Sequence, residues 1–250
     1  MTPLKISVVT VVFNGGAFIE ETIKSVVSQN YTNIEYIIID GKSTDGTLDI
    51  VLRYKDKISR IISEKDTGLY DAMNKGLRVA TGDFVLFLNC GDRFSDCGTL
   101  SEIFSGRDFS DADVVYGDTD IIDKDGNVVH SRRHRPPEKL EYKDFLKGML
   151  VCHQSFFARR TVVPQYDLKY KYAADYDWCV RILKVSRKNI NARRTVSLFM
   201  EGGQTSKTIV PGLKERYKIM CRHYGFFRAA FWNAVLSVKF LWWIMFHRWY

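Results

Sequence analysis

Neither glycine fingerprint for a nucleotide is present: the 250 residues contain no GxGxxG after the first apolar run and no GxxxxGK[ST] anywhere. That argues against a dinucleotide fold of the Rossmann type and a P-loop. A nucleotide bound here needs its phosphate charge neutralised by another device, and a carboxylate-held divalent cation supplies one. Cysteine is scarce too. Cys90, Cys97, Cys152, Cys179 and Cys221 are odd in number and contain no CxxC pair, which excludes a disulfide scaffold and argues against a structural zinc site. No signal-peptide pattern precedes Lys5, and reduced thiols in a cytoplasm are the simplest expectation.

Positive charge is sparse where a nucleic-acid surface would need it. The 37 Lys and Arg outnumber the 29 Asp and Glu, net +8, which permits an anionic partner such as a nucleotide, a phospholipid surface or nucleic acid. From Pro211 onward, however, Lys214, Arg216, Lys218, Arg222, Arg228, Lys239 and Arg248 face the single acid Glu215. Most of the excess therefore lies in the tail, and the rest of the chain is close to balanced. The cluster Arg132-Arg133-His134-Arg135 is short, lacks interleaved aromatics and runs into Pro136-Pro137. A solvated loop edge near an anionic diphosphate or lipid phosphate suits it better than a nucleic-acid patch, and no nucleic-acid partner is expected.

What the sequence does have is an alternation of two hydrophobic periods over its first hundred residues. KISVVTVVF, Lys5 to Phe13, is a β-branched apolar run, and Ala17 to Gln29 places Phe18, Ile19, Ile23, Val26 and Val27 on one helical face. The alternation repeats through IEYIIID and TLDIVLRYKD, then ISRIIS and LYDAMNKGLRVA, and ends at DFVLFLN. Apolar strands separated by helices predict a mostly parallel sheet covered on both faces, an α/β domain. Ligands of such sheets sit beyond the carboxyl ends of the strands. Those ends carry Asn14-Gly15-Gly16, then Asp40 to Gly46 (DGKSTDG), Glu64 to Gly68 (EKDTG) and Asn89 to Asp92 (NCGD). Any single acid there can cap a helix and any glycine can turn the chain. Four consecutive ends with acids and amides along one edge point to a polar ligand.

These residues match a family. ISVVTVVFN, IIIDGKSTDGT, SEKDTGLYDAMNKGLRVATGDFVLFLNCGD and, much later, HQSFF and AADYDW resemble the family 2 inverting glycosyltransferases, in particular bacterial enzymes of surface-polysaccharide synthesis. The resemblance is collinear over about the first two hundred residues. It implies a GT-A fold, a Rossmann-like central sheet with helices on both faces, binding a nucleotide-sugar and Mg2+ or Mn2+ at the strand ends. It also implies roles. Thr10, Phe13 and Asn14 would flank the donor base and ribose, and Asp40 with Ser43 would hold nucleoside polar groups. Asp66 would lie on the nucleoside side and Asn74 would face the donor. Asp92 would reach the metal on the diphosphate, and His153 with Gln154 would stand beside the acceptor or diphosphate. Gly202 and Gly203, in MEGGQTS, resemble the loop that closes over the donor. Two positions depart from the fuller pattern, since Gly41 follows Asp40 and Gly91 precedes Asp92 where many members carry acids. One carboxylate must then do the metal work with help from the diphosphate.

Inverting transfer needs a base on the acceptor side. Asp175 and Asp177 are two residues apart, so on a helix they point about 200° away from each other and only one can face the sugar. Asp175 stands at the predicted helix start, where the helix N-terminus favours an ionised carboxylate, and the family's ED-type motif aligns its base with Asp175, although Ala174 precedes it here.

The sequence divides into a glycosyltransferase domain over 1–210, with a nucleotide-sugar half (1–100) and an acceptor half (101–210), and a basic, aromatic helical tail over 211–250. A helix from Phe226 to Phe246 would be roughly 30 Å long, nominally enough to span a bilayer. Lys239 and Arg228 oppose spanning, because a central lysine costs about 2.5 to 3.5 kcal/mol on insertion scales. A helix lying in the membrane interface fits better, with packing on the domain or on a second copy, as in a homodimer, as the alternative. The expected function is transfer of a sugar, UDP-linked, to a hydroxyl of a lipid-linked glycan acceptor at the inner face of the cell membrane. The rival readings are another nucleotide-dependent α/β enzyme and a basic binding module at membranes or nucleic acid, without catalysis.

Overall fold

The strand β1 (Ile6–Val12) is buried at every position, as an unbroken β-branched run must be when both faces of a sheet are covered. Its side chains alternate between two cores. Val9 and Val11 join one cluster, while Ile6, Val8 and Val12 join the other. The structure, a computed structural model, describes residues 3–202 and 209–247, with side chains described up to Val238.

Parallel neighbours flank β1: β2 (Ile34–Asp40) on one side and β4 (Phe84–Phe87) on the other, with β3 (Arg60–Ser63) beyond β2. The helices α1 (Ile19–Val27), α2 (Thr47–Arg53) and α3 (Leu69–Val79) connect them. α1 presses Ile19, Ile23 and Val26 onto one face and α3 presses Ala72 and Met73 onto the other. Gly76 lets α3 approach closely, for a Cβ there would overlap the Val9 side chain. Because the four strands are parallel, all four carboxyl ends emerge along one edge, as the sequence predicts.

Beyond β4 the sheet becomes mixed. β5 (Arg93–Phe94), β6 (Val114–Ile122), β7 (Val128–Ser131), β8 (Phe156–Arg159) and β9 (Asn189–Met200) complete the order β3-β2-β1-β4-β8-β6-β9-β5, with β7 paired to β6. β8 runs antiparallel to β4 and β6, whereas β9 runs parallel to β6. The parallel character thus belongs to the first four strands and the β6/β9 pair. α4 (Thr99–Phe104) packs Leu100, Ile103 and Phe104 beside α1's core, and α5 (Ala174–Val185) buries Trp178, Val180 and Leu183 in the other. In the arginine cluster Arg133 and Arg135 are exposed while Arg132 turns inward. Arg132 donates to the Met149 and Leu150 carbonyls, and Arg135 pairs with Asp118.

The tail forms two helices, α6 (Ile209–Tyr224) and α7 (Phe226–His247), broken at Gly225, whose φ of 87° is a left-handed turn. α6 is part of the core. Ile219 and Met220 are fully buried, and Glu215 accepts the backbone N–H groups of Lys171, Tyr172 and Ala173 just ahead of α5. α7 starts against the domain, with Ala229 buried and Trp232 packed on the core, and then exposes Phe227, Phe231 and Val238 on one face. Among the described residues no helix is long and apolar enough to cross a membrane.

Candidate active site

The carboxyl end of β1 delivers Phe13, 65% exposed, and Asn14, whose φ of 50° turns the chain outward. The loop after β1 is stitched to the loop after β2. Asn14 N donates to Ser43 Oγ (2.8 Å), Asn14 Oδ1 accepts from Thr44 N (2.9 Å), and Gly15 N donates to Thr47 Oγ1 (2.9 Å). Asp40 is fully buried at the end of β2 and accepts hydrogen bonds from Ser43 N at 3.2 Å and Ser63 Oγ at 2.6 Å. Its carboxylate therefore holds the loop that carries Ser43. A Cβ on Gly41 would overlap Asp66 Oδ2. The absence of a side chain at Gly41 thus leaves room for the Asp66 carboxylate from the third strand end. Phe13, Asn14, Asp40, Ser43 and Asp66 share one notch.

Thr10 and Asn74 are buried and paired within the protein. Thr10 is fully buried and donates its hydroxyl to the Leu88 carbonyl, tying β1 to β4. Both ends of the Asn74 amide pair with the Tyr166 backbone, at 3.0 and 2.7 Å. These two polar groups are consumed inside the protein, so they support the site's framework.

At the end of β4, Gly91 adopts a φ of 99° and leaves no room for a side chain beside Met200. That turn swings Asp92 inward until it is only 4% exposed. Gln154 Nε2 donates to Asp92 Oδ2 (2.9 Å) and Met200 N to Oδ1 (3.1 Å). Burial pushes the carboxyl up to about 6, against the lowering effect of those donors and of His153. Each oxygen accepts one hydrogen bond and keeps further lone-pair capacity. Among the described residues no Lys or Arg forms an ion pair with it. A divalent cation fits such a carboxylate, because it supplies the missing positive charge and takes its other oxygens from phosphate and water. Among the described residues no cluster of three or more His, Cys, Asp or Glu could hold a metal alone.

His153 and Gln154 sit on a single 3-10 turn, His153–Ser155, that enters β8. While Gln154 turns to Asp92, His153 bridges two elements: its Nε2 is 3.2 Å from Asn89 Nδ2 and its Nδ1 is 3.5 Å from Asp175 Oδ2. Asp175, in the first turn of α5, has a side chain 22% exposed. Tyr70 donates its hydroxyl to Asp175 Oδ1 at 3.2 Å, and Tyr176 N donates to the same oxygen at 2.9 Å. Burial alone would raise the Asp175 carboxyl, but His153, Arg216 and the Tyr176 N–H hold it below the usual carboxylate range. Asp177 faces elsewhere. It is fully buried between Arg181 Nε (2.7 Å) and His223 Nε2 (2.8 Å), as the two-residue spacing on a helix predicts. Gly202 is an exposed turn with φ of 90°, and Gly203 lies outside the described residues. Sequence reasoning missed Asn89 and Tyr70 as site residues, although both lie in quoted motifs. Their roles depend on a histidine and an aspartate 64 and 105 positions away.

A sequence profile described as Glycosyl transferase family 2 matches residues 7–166. A PGL/p-HBAD biosynthesis glycosyltransferase of Mycobacterium bovis (strain BCG / Pasteur 1173P2) is 32% identical over 216 residues, 82% of this chain and 80% of that protein. A Bacillus subtilis (strain 168) protein named for teichuronic acid biosynthesis, the glycosyltransferase TuaG, is 32% identical over 149 residues, 58% of each chain. Among solved structures, S. aureus TarS 1-349 in complex with UDP-GlcNAc superimposes with a TM-score of 0.69 at 19% identity, over 97% of this chain and 73% of that one. The mannosyltransferase PcManGT from Pyrobaculum calidifontis, in complex with GDP-Man and Mn2+, gives 0.64 at 15% identity, over 95% and 76%. Both likenesses concern the fold.

Proposed function

The chain belongs to glycosyl transferase family 2 and is a glycosyltransferase of GT-A fold, and from that premise we propose that it moves a sugar from a UDP-sugar to a hydroxyl of a lipid-linked glycan acceptor in cell-surface glycan synthesis, with inversion. The observation that carries this reading is the division of labour between two carboxylates. Asp92 is buried with its carboxyl raised to about 6, so that a cation beside it would favour the ionised form, whereas Asp175 is held below the usual carboxylate range at the start of α5. The first suits a metal on the leaving diphosphate and the second suits a general base.

In this reading Phe13, Asn14, Ser43 and Asp66 receive the nucleoside, and buried Asp40, expected to hold nucleoside polar groups, instead holds the loop that carries Ser43. The likeness to TarS, solved with UDP-GlcNAc, supports a UDP-linked donor. Asp92 would hold Mg2+ or Mn2+, which would supply neutralising charge to the leaving diphosphate. Asp175 takes the proton of the acceptor hydroxyl. The acceptor oxygen bonds to the anomeric carbon from the face opposite the diphosphate, and the carbon–oxygen bond to the diphosphate breaks with its electron pair leaving on phosphate. His153 and Gln154 stand between the two carboxylates, on the acceptor and diphosphate side.

The relatives named for PGL/p-HBAD biosynthesis and for teichuronic acid biosynthesis support a surface-glycan acceptor. Peripheral contact with an anionic membrane is supported by the exposed Phe227, Phe231 and Val238 and by the tail's positive charge. Thermal unfolding of the full chain with UDP-, GDP- and dTDP-sugars plus Mn2+ tests the donor, since a ligand of the folded state raises the melting temperature by mass action. A rise with UDP-sugars that is lost in Asp92→Ala is expected. No rise with any nucleotide-sugar would defeat the reading.

A further inference from the structure

Four side chains from four segments form one connected chain through the middle of the site. Asn89 at the end of β4 meets His153, His153 meets Asp175 of α5, and Asp175 accepts from Tyr70 of α3. We propose that His153 is the positioning residue of the base: held through Nε2 by Asn89, it presents Nδ1–H to Asp175 Oδ2 and so sets the ionisation and orientation of that carboxylate. The inference rests on the reading of Asp175 as the base and gives that base a partner.

The surroundings show why a partner is needed. Tyr70 and Tyr166 stack at 5.4 Å, and Tyr166 stacks on Trp178 at 5.2 Å, so an aromatic wall stands against Asp175. The groups facing Asp175 are Tyr70 of α3, Tyr166 ahead of α5, Cys152 and His153 at the 3-10 turn, Cys179 within α5 and Arg216 of α6. Burial drives the Tyr70, Tyr166, Cys152 and Cys179 groups upward, so all four stay protonated and neutral. Positive polarity comes from His153, which adjoins the carboxylate, and from Arg216, which acts through its charge.

Asp175 and Asn89 together select the tautomer. A carboxylate across Nδ1 calls for a proton on that atom, which leaves Nε2 of the neutral ring bare to accept from Asn89 Nδ2. Asn89 Oδ1 is buried with no partner among the described residues, so the ring alone decides which end of the amide faces it. During transfer the acceptor proton moves to Asp175, the glycosidic bond forms, and the anomeric bond to the diphosphate breaks with its pair on phosphate. His153 keeps its proton throughout.

The direct test is 15N-detected NMR of the histidine ring nitrogens in the full chain at pH 7.5, with the His153 signals identified from His153→Asn. A protonated Nδ1 and a bare Nε2 are expected, shifting toward the Nε2–H form in Asn89→Ala. An Nε2–H tautomer in the wild type overturns the proposal. The second measurement is UDP release from UDP-GlcNAc and UDP-glucose, with water as acceptor, as a function of pH. His153→Asn should move the acid limb of kcat upward by about one pH unit while UDP affinity stays within about twofold, and Tyr70→Phe should move it the same way by less. A uniform loss of kcat with the limb in place, or a change confined to UDP affinity, also overturns the proposal. Asp175→Asn separates the two levels. Retained turnover there defeats the base assignment itself, whereas lost turnover with an unmoved limb in His153→Asn defeats only the positioning role.

Discussion

Asp66 Oδ2 fills the space that a side chain on Gly41 would need. The two residues lie beyond the ends of neighbouring parallel strands, so the glycine makes room for the carboxylate. Gly41→Ala should therefore displace Asp66 and weaken UDP binding by about tenfold, an amount equal to roughly 1.4 kcal/mol. Because the obstructing atom is the tip of a side chain, stability should change by under about 1 kcal/mol. Isothermal titration with UDP and urea unfolding check both halves; unchanged affinity would place Asp66 outside the nucleoside notch.

Asp175→Asn should reduce turnover by a hundredfold or more with UDP affinity nearly unchanged, because it removes basicity and keeps shape. Asp177→Asn should reverse the pattern. Its carboxylate is the buried partner of Arg181 and His223, so about 1 to 3 kcal/mol of stability should go while kcat of the folded fraction survives. Paired kcat and urea measurements decide, and a larger catalytic loss in Asp177→Asn would overturn the assignment.

The Asp92 carboxyl, raised to about 6 by burial, makes a pH prediction. Its folded value exceeds the unfolded one, so its contribution is fully present below about pH 4 and is lost as pH rises through about 6. Between pH 5 and pH 7.5, without divalent cation, the wild type should lose about 1 to 3 kcal/mol more than Asp92→Asn. Adding Mg2+ with UDP should shrink that difference, since a cation favours the ionised form. Parallel pH profiles for the two proteins would show that Asp92 is not buried as an acid.

For the tail, the packing dictates where to cut. A deletion starting at Phe226 would strip buried Ala229 and core-packed Trp232, whereas removal of 234–250 keeps both. The shorter chain should retain UDP binding and, keeping Phe227 and Phe231 but losing Val238, Lys239 and Arg248, should sediment less with vesicles containing anionic phospholipid. Equal sedimentation of the two chains would mean that 234–250 does not hold the protein to membranes.

The first four strands were legible because β1, β2 and β4 are apolar runs buried on both faces and the helices that join the four strands carry clear stripes, which also places the short, half-buried β3 between α2 and α3. Strand ends then follow from strand order, and with them the edge bearing Asn14, Asp40, Asp66 and Asp92. β9 was not legible. Its NINARRTVSLFM mixes charge with partial exposure, and Arg193 takes a φ of 57° near register shifts in its pairing with β6, so no two-residue alternation survives. The tail's depth in the fold was hidden for a related reason: α6 reads as basic, yet Glu215 and His223 find partners ahead of and within α5. Strand ends and the helix start drew attention to Asp92 and Asp175, the family resemblance singled out His153 and gave each its expected role, and the two-residue spacing pointed Asp175 and Asp177 apart. Which groups surround each of them, and hence that burial raises Asp92 while His153 and Arg216 keep Asp175 low, was decided only when distant segments met, because ionisation depends on neighbours in space and not on neighbours in the chain.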